Sequence, residues 1–204
     1  MYKVSKFLEK DIDKLIAFIQ SNPFAVLIGS IDHIPSATQV PLQVQRDGDH
    51  IKLIGHVMKK TDHHEAFLAN ENVLALFTGA HAYISASVYE NPASASTWNY
   101  RSVQAKGTIR LLDNDETRTV IKNLTNEYEA QDSPAAFHVM SDEYINQHLR
   151  AIAGFVITVT QIEGIFKLSQ NHSYSNRENI VNQLSQSDDA GAQEIAKQMK
   201  DLNC

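Results

Sequence analysis

Cysteine is almost absent from this 204-residue chain, and the single one, Cys204, is the last residue. One thiol excludes an internal disulfide and a thiolate metal cluster, and it fits a reducing cytoplasm. Long apolar runs are missing as well. The opening stretch MYKVSKFLEKDIDKLIAFI carries charge throughout, unlike a signal peptide, and no later run is long enough to span a bilayer. The expectation is a soluble, cytoplasmic protein with no membrane partner. A basic patch is the third absence: 18 Lys and Arg stand against 24 Asp and Glu, a net charge of −6. Scattered cations lack the footprint that a nucleic-acid backbone demands, which argues against direct binding of nucleic acid. No glycine-rich loop follows a strand-like run, so any nucleotide cofactor must be held some other way. Neither a G-x-S-x-G elbow nor an HExxH pair occurs. Among nine histidines, the adjacent His63 and His64 point about 100° apart on a helix, whereas two ligands need a spacing of three or four. No metal site is expected.

What is present is apolar periodicity. Ile12, Leu15, Ile16 and Ile19 recur at helical spacing until Asn22-Pro23. FAVLIGSI (24–31), SATQVPLQVQ (36–45) and HIKLIGHVM (50–58) read as an antiparallel meander, with Pro41 demanding an edge or a bulge. Thr61 has the look of an N-cap to a short helix, with Asp62 in its first turn. VLALFTG and HAYISASVY read as two strands with a turn at Gly79, and TWNYRSVQAKGTIRLL as one long strand. NDETRTVIKNLTNEYEA and SDEYINQHLRAI are helical. GFVITVTQIEGIFKLSQN reads as two strands about a turn at Glu163-Gly164, and the tail as two polar helices about SDDAG. Seven or eight short strands with inserted helices predict an α+β fold around an antiparallel barrel.

Three places carry candidate chemistry. Lys59 and Lys60 run into the Thr61 cap, where cations, a hydroxyl and free helix-terminal amides suit a phosphate; the same residues also suit solvated charges and an ordinary cap. His81, Tyr83 and Ser85 alternate onto one strand face, which either lines a pocket or is simply wet. Lys167, Ser169 and Asn171 share a face by the same rule. The sole tryptophan, Trp98, follows the small-residue loop ENPASAS, and it either anchors the core or faces a site.

The segments NPFAVLIGSIDHIPSATQVPLQV, IGHVMKKTDHHEAF, GAHAYISASVY, STWNYRSVQAKGTIRL and IAGFVITVTQIEGIFKLSQN occur in the order of the PaiB family, the FMN-binding negative transcriptional regulators. The chain resembles that family over residues 1–184, with 185–204 as a C-terminal helical tail. The resemblance implies a split β-barrel of the flavin-reductase and pyridoxamine-phosphate-oxidase type, a homodimer, and FMN at its interface. It places His56, Lys59, Lys60 and Thr61 at the phosphate and Thr38, Gln39 and Val40 beside the ring. Trp98, Asn99, Tyr100, Lys167, Ser169, Gln170 and Asn171 then approach the pocket, from the partner chain in this reading. The chain departs from the family pattern at Met58 and the following KTD, at Ala80, Ala86 and Val88, and at His172. The implied function is a flavin-dependent oxidoreductase or redox-linked regulator. Two alternatives stand beside it: a non-enzymatic interaction module with a degenerate site, and a haem-binding split barrel using His81 or His172.

Overall fold

The computed structural model describes residues 4–202, so Cys204 lies outside it. Its strands are β1 (Leu8–Glu9), β2 (Phe24–Ile31), β3 (Ile34–Pro41), β4 (Gln43–Asp47), β5 (His50–Met58), β6 (Asn72–Ile84), β7 (Thr97–Leu111) and β8 (Ile152–Lys167). Its helices are α1 (Ile12–Ser21), α2 (Asp62–Ala69), α3 (Asn114–Tyr128), α4 (Asp142–Leu149), α5 (Tyr174–Ser185) and α6 (Ala190–Asp201). The strands form one sheet in the order β3-β2-β6-β7-β8-β5-β4, with β1 pairing β8. This is the expected α+β class.

Three expectations about connections are corrected. The run 36–45 is two strands broken at Leu42, whose N–H donates to the Pro23 carbonyl at 2.9 Å. Pro41 closes β3, an end strand of the path, where a missing amide proton costs nothing. The predicted meander is therefore two hairpins: β2 with β3 (Phe24↔Pro41 to Ile31↔Ile34) and β4 with β5 (Gln43↔Ile54 to Asp47↔His50). The turns expected at Gly79 and at Glu163-Gly164 are absent, and β6 and β8 run on for 13 and 16 residues. In β8 the glycine serves close approach instead, since a Cβ on Gly164 would lie 2.2 Å from Leu15 Cδ2.

The chain divides into two compact units, and β6, β7 and β8 contribute residues to both. The first unit (residues 19–77 and 104–162) holds β2 to β5 and α2 to α4. Leu27, Leu53, Phe77, Phe155 and Ile157 have no exposed surface and form its centre. Asp113 starts α3 with a reciprocal box: it accepts from the Glu116 N–H at 2.9 Å, and Glu116 accepts from the Asp113 N–H at 3.1 Å. The second unit comprises the described residues of 4–18, 78–103 and 163–202. Here the reading of α5 and α6 as polar is corrected. Ile180, Val181, Leu184, Ala192, Ile195, Ala196 and Met199 are buried in one cluster with Ala82, Ile84, Tyr89 and Leu168. That cluster runs across position 184, where the resemblance divides the chain.

Glycine substitutions test how tightly the sheet is packed. A Cβ on Gly107 would meet the Thr158 carbonyl oxygen at 2.2 Å, a backbone atom that cannot swing away. Gly107→Ala is expected to cost about 1–3 kcal/mol or more. Gly48→Ala meets only open space and bears the cost of its left-handed φ of +59°, about 1 kcal/mol. Thermal unfolding should show the larger loss of Tm for Gly107→Ala; equal losses would contradict the close approach of β7 to β8.

Candidate functional site

In the first unit, the junction of β5 and α2 is tied down by its own polar groups. Lys59 donates its backbone N–H to the Ala151 carbonyl at 2.8 Å and its ammonium to the Leu149 carbonyl at 2.9 Å, at the C-terminal end of α4. A cation there also complements the helix dipole. Lys60 is exposed with a left-handed φ of 63°, which turns the chain into α2. Thr61 is the expected N-cap. Its Oγ1 accepts from the His64 N–H at 3.4 Å, donates to the Met58 carbonyl at 2.9 Å, and lies 2.9 Å from His63 Nε2.

Asp62 was not foreseen as a partner in this junction. Its carboxylate accepts from the Ser36 hydroxyl at 3.1 Å and faces His63 Nδ1 at 3.2 Å. The His63 backbone N–H foremost, then Ser36, hold its pKa below the ordinary carboxylate value. The Ser36 bond also ties β3 to the start of α2. Thr38, two residues along on the same face of β3, is half-buried. The other two proposed ring contacts part company by strand alternation: Val40 points into the core and Gln39 out to solvent.

His56 stands opposite Gly154, whose missing Cβ makes room for Thr117 of α3. It is half-buried on the α3 side of β5, its Nδ1 has no hydrogen-bond partner, and burial lowers its pKa. His64 is lowered as well, by burial first and then by Lys59 and His63.

The donor set at this junction fits a phosphate dianion. Among the described residues the Lys60 ammonium makes no hydrogen bond, and the Lys59 ammonium has two protons beyond the one given to Leu149. The exposed carboxylates of Asp62 and Glu65, both in the first turn of α2, oppose an anion there.

In the second unit, TWNY and KLSQN meet. Asn99 has no exposed surface, and its amide donates to Ser169 Oγ at 2.9 Å and contacts Met199 Sδ at 3.5 Å. The Lys167 ammonium donates to Thr97 Oγ1 and to the Trp98 carbonyl, both at 2.6 Å, and burial lowers its pKa. The expectation that Lys167, Ser169 and Asn171 share one strand face is corrected: β8 ends at Lys167, and Ser169 turns with φ 62° into the interior, 2% exposed. Gln170 folds back, its carbonyl accepting from the Leu168 N–H at 2.7 Å and its amide donating to the Phe166 carbonyl. Asn171 is exposed and Tyr100 half-buried.

Trp98 is no core anchor, since 52% of it is exposed. Its ring lies 5.8 Å from that of His81 and 5.7 Å, edge-on, from that of Tyr83. The alternation of His81 and Tyr83 therefore lines a groove, as one of the two readings had it. His172 instead stacks on Tyr89 at 4.7 Å. The last turn of α5 contributes Gln183 to the groove and the α5–α6 connection Ser187 and Asp189, residues with no spacing signal that points to Trp98.

A family model described as "Putative FMN-binding domain" matches residues 1–161. The "Protease synthase and sporulation protein PAI 2" of Bacillus subtilis is 31% identical over 202 residues, covering 98% of this chain and 97% of that one. An uncharacterized protein of Aspergillus fumigatus is 24% identical over 253 residues, with 98% and 97% coverage. Among solved structures, the FAD and haem binding protein of Mycobacterium smegmatis superposes with TM-score 0.63 at 16% identity, covering 84% of this chain and 78% of that one. The flavocytochrome Anf3 of Azotobacter vinelandii gives 0.57 at 16% identity, with 82% and 72% coverage. These likenesses support the split-barrel fold, and the family match over most of the chain, joined to 31% identity along nearly all of it, makes the chain a member of the FMN-binding PaiB family.

Proposed function

We propose that the protein binds FMN with its phosphate at Lys59, Lys60 and Thr61, and that it works as a homodimeric flavin-dependent oxidoreductase or redox-linked regulator. The observation that carries this reading is the junction of β5 and α2, where two lysines run directly into one capped helix start. FMN, when bound, supplies the redox chemistry. The chain's own residues bind and orient: Lys60 contributes a free point charge, Lys59 a charge whose position is set by the Leu149 carbonyl, and Thr61 fixes the first turn of α2. Thr38 is the candidate ring contact on β3, and Lys167 and Asn171 are the residues through which a partner chain approaches the ring.

Exchanging Lys60 for Ala removes a charge that no described contact uses, whereas Lys59→Ala also strips the end of α4. Each charge-assisted bond contributes on the order of 1.5–3 kcal/mol. Lys60→Ala should weaken FMN by roughly tenfold to a hundredfold, and the double variant by up to about four decades. Riboflavin, which lacks the phosphate, should hardly respond. Fluorescence titration with both flavins makes the comparison, and unchanged FMN affinity in the double variant would place the phosphate elsewhere.

Support for the homodimer comes from the face of β2 and β6 turned away from the core. Cross-strand partners Val26↔Leu76 and Ile28↔Leu74 remain half-buried there, while Leu27, Ala75 and Phe77 fill the interior. A 22.8 kDa chain should sediment at twice that mass at micromolar concentration, and Ile28→Glu with Leu74→Glu should return it to monomer. A wild-type monomer under those conditions would refute the dimer.

A further inference from the structure

Independently of the phosphate-anchoring junction, the second unit carries a groove of about 350 Å³ between the β6–β7 surface and the end of α5, the start of α6 and their connection. Its wall is aromatic. Trp98 and Tyr83 are 52% and 53% exposed, large apolar surfaces that a folded chain rarely leaves open side by side without use. They are also held in place. Lys167 grips the Trp98 carbonyl, Asn99 next to it is locked inside, and the His81 and Tyr83 rings brace the indole. The floor is rigid, because Ala82, Leu184 and Ala192 belong to the buried cluster.

The opposite rim is polar but electrically quiet. Gln183 offers an exposed primary amide and Ser187 a hydroxyl. The one formal charge, Asp189, caps α6: its Oδ1 accepts from the N–H groups of Gly191 at 2.6 Å and Ala192 at 3.1 Å. The positive end of the α6 dipole offsets that carboxylate. An anion entering the groove would meet Asp189, and a cation would meet the helix N-terminus. An uncharged flat ring meets neither penalty and covers the indole and phenol faces. The size suits one or two fused rings.

We infer that this groove binds a small, uncharged, planar aromatic molecule bearing an amide-like hydrogen-bonding edge, with Trp98 and Tyr83 as its platform and Gln183 as its polar reader. Residues 183–192 of the rim lie beyond the segment matched by the family model, so the site is built by this chain's C-terminal helices on the family scaffold.

Trp98 is the only tryptophan of the chain, so indole emission reports on this groove alone. The test titrates the full-length protein with three isosteric probes: benzamide, benzoate and benzamidine, which are neutral, anionic and cationic at neutral pH. Benzamide should quench saturably, and the two charged probes should bind about tenfold more weakly, as burial without a partner for the charge requires. Tyr83→Ala, an exposed position, should weaken benzamide by roughly three- to tenfold, the range of one aromatic contact. Ser187→Phe should fill the groove and abolish saturation. Circular dichroism checks that each variant is folded, and calorimetry repeats the wild-type affinities without the indole. Linear quenching equal to that of free N-acetyltryptophanamide would overturn the proposal. So would equal affinity for the three probes, or indifference to both substitutions. None of these outcomes depends on whether FMN binds at Lys59 and Lys60.

Discussion

The buried amide of Asn99 constrains much of the second unit. An amide taken out of water without partners costs about 1–3 kcal/mol, so Asn99 must be met inside. Ser169 meets it, and does so only because the chain leaves β8 after Lys167 and turns with a left-handed φ at Ser169. Met199 completes the contact from α6. Once Asn99 points in, the two-residue period of a strand obliges Trp98 to point out. The exposure of the indole thus follows from the burial of its neighbour. Lys167 then secures the same strand from outside by its bonds to Thr97 and Trp98.

At the start of α2 the same economy of polar groups works differently. A helix N-terminus attracts an anion, and here the chain supplies one of its own in Asp62, held by Ser36 and the His63 N–H. Lys59 gives one proton of its ammonium to the end of α4. Groups able to hold a phosphate are therefore also the groups that join β3, β5, α2 and α4. Lys60 escapes that double duty because its left-handed backbone carries the side chain away into solvent.

Family membership accounts for the scaffold more fully than for what is particular to this chain. The family model ends at residue 161, whereas α5 and α6 supply most of the buried cluster of the second unit. The structural neighbours share the fold at 16% identity, a level at which architecture persists while side chains in the clefts change. The aromatic groove is a case in point, since one wall comes from the scaffold strands and the other from the C-terminal helices.

Local chemistry by itself determined a good deal. Helical spacing marked α1, alternation marked β2 and β5 to the residue, and Thr61 was legible as a cap because capping is decided within four residues. The α+β class and the family were legible for the same reason, being written in segments and their order. Only the tertiary structure decided the rest. Glycines at 79 and 164 look like turns to any local rule, but pairing with neighbouring strands carries β6 and β8 straight through them. The polar look of α5 and α6 concealed one buried stripe on each, which becomes core only when the two helices face β6. Whether Trp98 sat in the core or at the surface could not be read from TWNY. That depended on Ser169, seventy residues away in the chain, because a buried amide goes where its partner is.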